Sequence, residues 1–473
     1  MARHRDEILS LPLPDKPREK PLPWAEIAER FDRFIMDPDH QVVYTDPKGH
    51  IAFTAFLESP HYGGMRHELV TFGPIVLGKA LRGEDVRPFL PSLAGYFCDE
   101  VGLFLNTPGQ LRIEYWYLMY VHALAWQIIR RVGMEDAGLV AKWRRSMETL
   151  RQMAQSIRYD FNAQGFDFRR CVPWTRRAIF RQPDAIGAYG YLMLLAYETF
   201  GEGGLLEEAV NALDRYLAFP SNPWYEIPSG AMATLAIARL VKRGIPLDLH
   251  RALNFALDPL AHLILGQWGG REVHGLCRGW RFSQPESAYS MESMILLPYL
   301  LPVARYAPEY ARVIGRYALN VASNMRLFYS EYMRGIESRP DLSPAVPYER
   351  LFQSYNGQSP YAAGDFHGHK SIYGGAYALW WGAVIAPTNN DFILKLDLTK
   401  TDFLAHAPLP AFLYYNPWPE ARTVQVAIGE GPSDFYDAAT GDLIGQRICG
   451  EGTISLPPIG TRAIILTPAA KVK

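Results

Sequence analysis

Cysteine is scarce in this sequence, and the little there is stands apart. Cys98, Cys171, Cys277 and Cys449 form no CxxC or CxxxC pair, which argues against a zinc site or a disulfide framework. Long apolar runs are also missing. No stretch of about 18 apolar residues occurs, as a membrane-spanning helix would need. The N-terminus, MARHRDEILSLPLPDKPREKPLPW, is charged and proline-rich and has no apolar core of signal-peptide length. The expectation is therefore a cytoplasmic protein. A charge excess is lacking too: the net charge of −1 recruits neither nucleic acid nor an anionic membrane. A GxGxxG after a strand, GxxxxGK[ST], GxSxG and HExxH are all absent, which leaves nucleotide-binding, hydrolase-elbow and zincin readings without support.

What is present is apolar and aromatic. Hydrophobic residues make up 48% and charged residues 21% of the 473, a balance that suits a well-packed globule. The 27 Tyr, 23 Phe and 11 Trp serve core packing first, and they also suit stacking on sugar rings or terpenoids.

After a polar arm at 1–23, the chain alternates two kinds of helical segment. WAEIAERFDRFIM, VRPFLPSLAGYFCDEVGLFL, DAGLVAKWRRSMETLRQMAQSIRYD, LLEEAVNALDRYLAF, LDLHRALNFALDPLAHLIL and APEYARVIGRYALNVASNMRLFY read as outer helices. Between and after them lie segments apolar on nearly every face. These are a helix over about 66–81 (with Pro74 set to kink it or delay its start), IEYWYLMYVHALAWQIIRRVG, RQPDAIGAYGYLMLLAYETFG, PSGAMATLAIARLVKRG, QPESAYSMESMILLPYLLPVARY and SIYGGAYALWWGAVIA. A helix hydrophobic all round is a buried one. Six outer–inner pairs, spaced by roughly 40 to 65 residues, predict a mainly α fold, a closed (α/α)6 toroid over 24–387. From 388 to 473, short alternating segments separated by turn residues predict a small all-β module, a sandwich packed on the toroid, with YDAATGDLIG as a hairpin.

In such a ring the loops leading into the inner helices open at one end, so their polar residues converge. The first carries His61, Arg66 and His67, and the second Arg112 and Glu114. The third carries Arg181 and Asp184, the fourth Trp224, Tyr225 and Glu226, and the fifth Trp280, Arg281, Glu286 and Tyr289. The sixth, Ser359–Trp381, brings Tyr361, Asp365, His367, His369 and Tyr373 to the start of an apolar helix.

The candidate catalytic carboxyls are Glu226, Asp365, Glu114 and Asp184. An acid at a helix start is commonly an ordinary N-cap, and Asp184 and Glu286 fit that use well. Glu226 lies between aromatics and a proline, surroundings that raise a carboxyl pKa and suit a general acid. Glu114 opens a helix free of charge until Arg130, and Arg112 is placed to pair with it. Asp365, His367 and His369 form a D-x-H-x-H pattern with no fourth metal ligand in view. A proton shuttle or a hydroxyl partner fits those histidines better, and no cofactor is expected. Trp224, Tyr225 and Trp280 would stack on a sugar, and Tyr361 would contact it. Arg66, Arg112, Arg181 and Arg281 would pair with a substrate carboxylate, which points to uronic acids.

Six hairpins with aromatic and acidic approach loops, followed by a β module beginning near LDLTKTDF and YYNP, resemble the carbohydrate-active enzymes of (α/α)6 type. In size and layout the chain is most similar to glucuronyl hydrolases and β-glucuronidase-like glycosidases. The resemblance covers most of the chain at the level of architecture and carries over no catalytic residue. The linalool dehydratase/isomerase group has a similar toroid but lacks the β module. The resemblance implies an exo-acting glycoside hydrolase for short, uronate-containing oligosaccharides, with a small carbohydrate as the partner and homo-oligomerisation left open. A uronate lyase and a non-catalytic carbohydrate-binding protein are the alternatives.

Overall fold

The computed structural model describes residues 11–57, 68–268, 271–279, 287–329, 331, 343–352, 370–406, 408–427 and 431–469. Among them are twelve α-helices. Six are buried almost all round: α2 (Leu69–Leu81), α4 (Tyr115–Ile128), α6 (Ala185–Phe200), α8 (Ile227–Lys242), α10 (Ser290–Tyr306) and α12 (Ile372–Val384). In α4 every residue but Tyr117 is buried, and in α10 every residue but Arg305. Helices of this kind have no face to offer water and must pack on one another. They do so in sequence, and α12 then returns to pack on α2, which closes the ring.

Around the ring stand α1 (Trp24–Met36), α5 (Ala137–Ser156), α7 (Gly203–Leu217), α9 (Leu249–Ala256) and α11 (Ala311–Asn324), with the short α3 (Leu90–Ala94) in the second hairpin. In α11 every residue but Arg312 is buried, whereas the other long outer helices each bury one stripe. In α1 it is Trp24, Ile27, Ala28, Phe31 and Ile35, the spacing of one helical face. That stripe packs on α12, so the first helix of the chain covers the last one of the ring.

Two outer helices are shorter than their apolar content suggests. VRPFLPSLAGYFCDEVGLFL gives only a 3₁₀ turn, α3 and a hairpin pairing Phe97–Cys98 with Leu103–Phe104. Pro88 and Pro91 sit in the first turn of the 3₁₀ segment and of α3, where a missing N–H costs least, and Gly102, at φ +69°, turns the chain back. α9 stops at Ala256 because Pro259 biases the residue before it away from helical dihedrals. In α2 the helix begins at Leu69 and runs on through Pro74.

The closing helix is held by its two tryptophans. Trp380 Nε1 donates to the Pro74 carbonyl of α2 at 2.8 Å, and Trp381 Nε1 donates to the Met294 carbonyl of α10 at 2.8 Å. The second bond meets a need set by sequence. Pro298, four residues beyond Met294, has no N–H to offer that carbonyl. Pro302 orphans the Pro298 carbonyl in the same way, and Thr401 Oγ1 donates to it at 2.7 Å. At the α2–α12 seam the backbones run close: a Cβ on Gly78 would lie 2.4 Å from that of Leu379.

Thr401 belongs to a segment that covers the far end of the ring, where the inner helices finish. Arg130, at the end of α4, donates to the carbonyls of Phe403 and Ala405. Asp402, buried there, accepts from Arg305 at 2.9 Å and from Tyr306. Beyond this segment a six-stranded antiparallel sheet runs in the order Ile385–Ala386, Lys395–Asp397, Ala411–Asn416, Gly460–Pro468, Ser433–Asp437 and Leu443–Ile448. Arg422–Ala427 pairs with Glu451–Leu456, and the two sheets share a core that includes Tyr414, Val424, Phe435 and Ile464. The larger sheet packs on α11. Residues 11–23 lie along α11 as well: Arg316 donates to the Leu11 carbonyl and Asn320 to that of Pro14, both at 2.7 Å.

The Met294 carbonyl gives a direct test of how the ring is closed. Trp381→Phe should cost about 1–3 kcal/mol of unfolding free energy in a urea titration, the penalty of a buried acceptor left unpaired. A loss under about 0.5 kcal/mol, the usual scatter of surface substitutions, would count against the role given to this bond.

Candidate active site at the mouth of the helix ring

Acids stand at the N-caps of four consecutive inner helices: Glu68 on α2, Glu114 on α4, Asp184 on α6 and Glu226 on α8. None of them bonds its own helix in the manner of a cap. The outer helices show what capping looks like. Asp136 accepts from Leu139 N at 3.0 Å, and Asp248 accepts from Arg251 N at 2.9 Å. The ordinary capping role foreseen for Asp184 therefore gives way. Its Oδ2 accepts from the Tyr225 N–H at 3.1 Å, one helix further round.

Glu114 is held by two carboxamides, and Arg112 is not its partner. Gln164 Nε2 donates to Oε1 and Gln182 Nε2 donates to Oε2, each at 2.9 Å. Both amides are fixed in that sense, because their oxygens are already used. Gln164 Oε1 accepts from Arg176 N at 3.0 Å and Gln182 Oε1 from Trp116 N at 2.8 Å. The short strand Arg112–Glu114, paired with Gly165–Asp167, delivers Glu114 to this position. Arg112 is exposed, with its guanidinium 4.1 Å over the Trp174 ring.

Glu226 sits at the centre of the group. Its Oε2 is buried and has no hydrogen-bond partner among the described residues. Burial raises its pKa well above the usual carboxyl range, and Glu292, Glu114 and Asp184 add to the shift in that order. Glu292, in the first turn of α10, is only 3% exposed, and its Oε2 accepts from the Ile227 N–H at 2.8 Å. Burial pushes it up to about 8, with a further rise from Asp184, while the Ile227 N–H pulls it down. Glu114 is raised by burial, and its two glutamines oppose the rise. A helix N-terminus favours the carboxylate by only about 0.3–1 kcal/mol, which is too little to offset burial among like charges.

Tyrosines surround these acids. Burial raises the Tyr225 phenol, and Glu226, Glu114, Asp184 and Tyr117 raise it further. Tyr289 accepts from Arg350 Nη1 at 2.9 Å, and Tyr373 donates to Glu349 Oε1 at 2.8 Å. Strand pairing places these groups: Tyr289 lies opposite Arg350, and Lys370–Ser371 pairs with Phe56–Leu57.

No protein-family model and no curated protein sequence matches the chain. Solved structures do show a likeness. The chain is similar to cellobiose 2-epimerase from Spirochaeta thermophila (14% identity, TM-score 0.46), covering 76% of this chain and 96% of that one. A D-mannose isomerase matches at 12% identity and TM-score 0.48, with coverage of 76% and 96%. An α-1,6-mannanase from Salegentibacter sp. matches at 13% and 0.47, with coverage of 76% and 98%. At such values the ring rests on its own helix contacts and the site on its own geometry.

Of the residues picked out from sequence, Glu114, Asp184, Tyr225 and Glu226 come together. Trp224 does not join them as a stacking platform. It is 1% exposed, one face lies on His262 with ring centroids 4.4 Å apart, and Gly230 leaves room for its indole. Arg181 is exposed. Asp365, His61, Arg66, His67, Trp280, Arg281, Tyr361, His367 and His369 lie outside the described residues. Glu292, Gln164, Gln182, Tyr117, Glu349 and Arg350 were missed. Glu292 was detectable by the reasoning that marked Glu114, since no other charge occurs between Ser287 and Ala304.

The buried acids tie stability to pH. A carboxyl whose folded pKa lies above its unfolded value keeps its proton in the native state only, so stability is greatest at low pH and falls as pH rises. For Glu292 the window runs from the ordinary 4.5 to about 8. Its slope should approach 1.4 kcal/mol per pH unit, as an order of magnitude. Thermal melts across that range should show the fall, and Glu226→Gln combined with Glu292→Gln should flatten it. An unchanged slope in the double variant would show that both acids are already ionised.

Proposed function

We propose that the chain is a carbohydrate-active enzyme, a glycoside hydrolase that works by carboxyl acid–base chemistry at the mouth of the ring. The observation that carries this reading is Glu226: a half-buried carboxyl whose pKa is raised by burial and by three neighbouring acids, with its buried Oε2 left for a ligand to meet. A raised acid beside a second carboxyl kept anionic is the arrangement that glycosidic cleavage requires. Glu226 would protonate the leaving oxygen as the bond to the anomeric carbon breaks. Glu114, oriented by Gln164 and Gln182, is the described acid best prepared to act as the anion. It would either take the proton of an attacking water or attack the anomeric carbon itself.

Two further features bear on the substrate. Tyr117, Tyr225, Tyr289 and Tyr373 supply aromatic surface around the acids, the role first given to Trp224. The 398–406 segment covers the far end of the ring, which favours action on chain ends from the one mouth. A uronate preference draws its support from Arg350 beside Tyr289, because Arg112 lies over Trp174 and Arg181 is exposed. Lyase chemistry with Tyr373 as base is less well supported. That phenol is raised far above its ordinary value and donates to Glu349.

A screen of aryl glycosides, glucuronides included, together with uronate oligomers tests the proposal. Glu226→Gln should lower turnover by about 10²- to 10⁴-fold, the usual share of a general acid. Full turnover by that variant would remove the assignment. An ultraviolet-absorbing unsaturated uronate would establish a lyase, and sugar binding by calorimetry without any product would establish a binding protein.

A further inference from the structure

We infer that the arginine-rich lip at 169–181, with Arg112 beside it, is an outer binding surface for the acidic part of a glycan whose end enters the mouth. The path into the mouth rests on the site proposed above, whereas binding at the lip is tested without turnover.

The lip is built on the strand pairing that delivers Glu114. Glu114 lies opposite Gly165, and Gly165 opposite Trp174, while Arg112, Asp167 and Val172 form another such row. Trp174 therefore stands two strand spacings, about 10 Å, from Glu114. Arg112 and Glu114 are two residues apart and leave the strand on the same face. The chain after Trp174 is tied to the same acid. The Arg176 N–H donates to Gln164 Oε1 at 3.0 Å, and Gln164 in turn donates to Glu114. Arg181 directly precedes Gln182, whose amide donates to the other oxygen of Glu114. The backbone thus fixes Arg176 and Arg181 beside the two carboxamides of the site, while both residues remain exposed.

Charge singles this lip out in a chain whose net charge is −1. Between Phe161 and Pro183 there are five arginines and one acid, Asp167. That acid is occupied with the turn: its Oδ1 accepts from the N–H groups of Arg169 and Arg170, each at 3.1 Å. Arg112, Arg169, Arg170, Arg176, Arg177 and Arg181 are all exposed, and none forms an ion pair among the described residues. Other arginines of the chain do find acids, as Arg144 finds Glu202 and Arg239 finds Glu198. Crowded cations of this kind attract an anion, and the planar guanidinium takes a carboxylate with two parallel N–H bonds. A sulfate ester presents oxygens of the same kind. Aromatic rings steady two of the six, Trp174 under Arg112 at 4.1 Å and Phe180 under Arg177 at 5.3 Å. The occupant is a glycan because the lip is continuous with the mouth, where acids and tyrosines suit a sugar.

Cys171, exposed between Arg170 and Val172, reports on this surface directly. Its alkylation by iodoacetamide in the full chain, followed by peptide mass spectrometry, is compared with that of Cys449, exposed in the β module. An oligogalacturonate should slow Cys171 several-fold and leave Cys449 unchanged, and a neutral mannan oligosaccharide of equal length should slow neither. Protection by a sulfated oligosaccharide alone would make the acid group a sulfate. Arg169→Gln, Arg170→Gln and Arg177→Gln together should weaken calorimetric affinity for the protecting glycan about tenfold, the sum of three exposed ion pairs. Added salt should weaken that affinity more in the native chain than in the triple variant. If the triple variant does not fold, Cys171 protection and salt dependence in the native chain decide. No protection by either acidic glycan, equal affinity for acidic and neutral ones, or protection by single-stranded RNA but by no glycan overturns the inference. Cleavage of aryl glycosides is read separately and decides the acid role of Glu226, not the role of the lip.

Discussion

Two adjacent indoles close this molecule. Trp380 reaches the α2 carbonyl at Pro74, and Trp381 reaches the α10 carbonyl at Met294, so the last inner helix is tied to both of its ring neighbours. The reason lies in composition. Six helices without a polar face can be covered only by each other, and an open end would leave apolar surface in water at about 25 cal/mol for each Å². The double-proline helix α10 enters the ring because Trp381 and Thr401 supply the donors its own backbone lacks.

Closure also accounts for the site. A closed ring aims the starts of its inner helices at one mouth, and every group delivered there is crowded by groups from the next helix. Acids that would cap a helix on the outside of the molecule, as Asp136 and Asp248 do, are turned across to neighbours at the mouth. Glu114 meets two amides, Asp184 meets a peptide N–H of the following loop, and Glu226 meets other acids. Burial and crowding by other acids are what raise the Glu226 pKa above the usual carboxyl range. The chemistry follows from the packing.

Much of this was legible in the chain. Segments apolar on every face announced the inner helices, and the turn-punctuated Val, Ile, Tyr and Thr segments announced the strands after 388. The outer helices were harder to read, because Pro88, Pro91 and Pro259 cut segments whose apolar content looked continuous. Glu226 and Glu114 could be found because a charge in apolar company is conspicuous. Glu292 was passed over because it lies inside a helix and not in a loop. The misreading of Trp224 has a physical cause too: a loop sequence does not show which way an indole turns, and here Gly230 and His262 make a slot that points it into the core.

What remains to be seen directly is a ligand at the mouth. The most direct measurement is a crystal structure with an unreactive thio-linked glycoside, tried both as a uronide and as a neutral sugar. The account predicts the linking sulfur within hydrogen-bond reach of the Glu226 carboxyl, with Glu114 on the other side of the anomeric carbon. A sugar bound elsewhere on the molecule, or bound at the mouth with Glu226 turned away from the linkage, would contradict it.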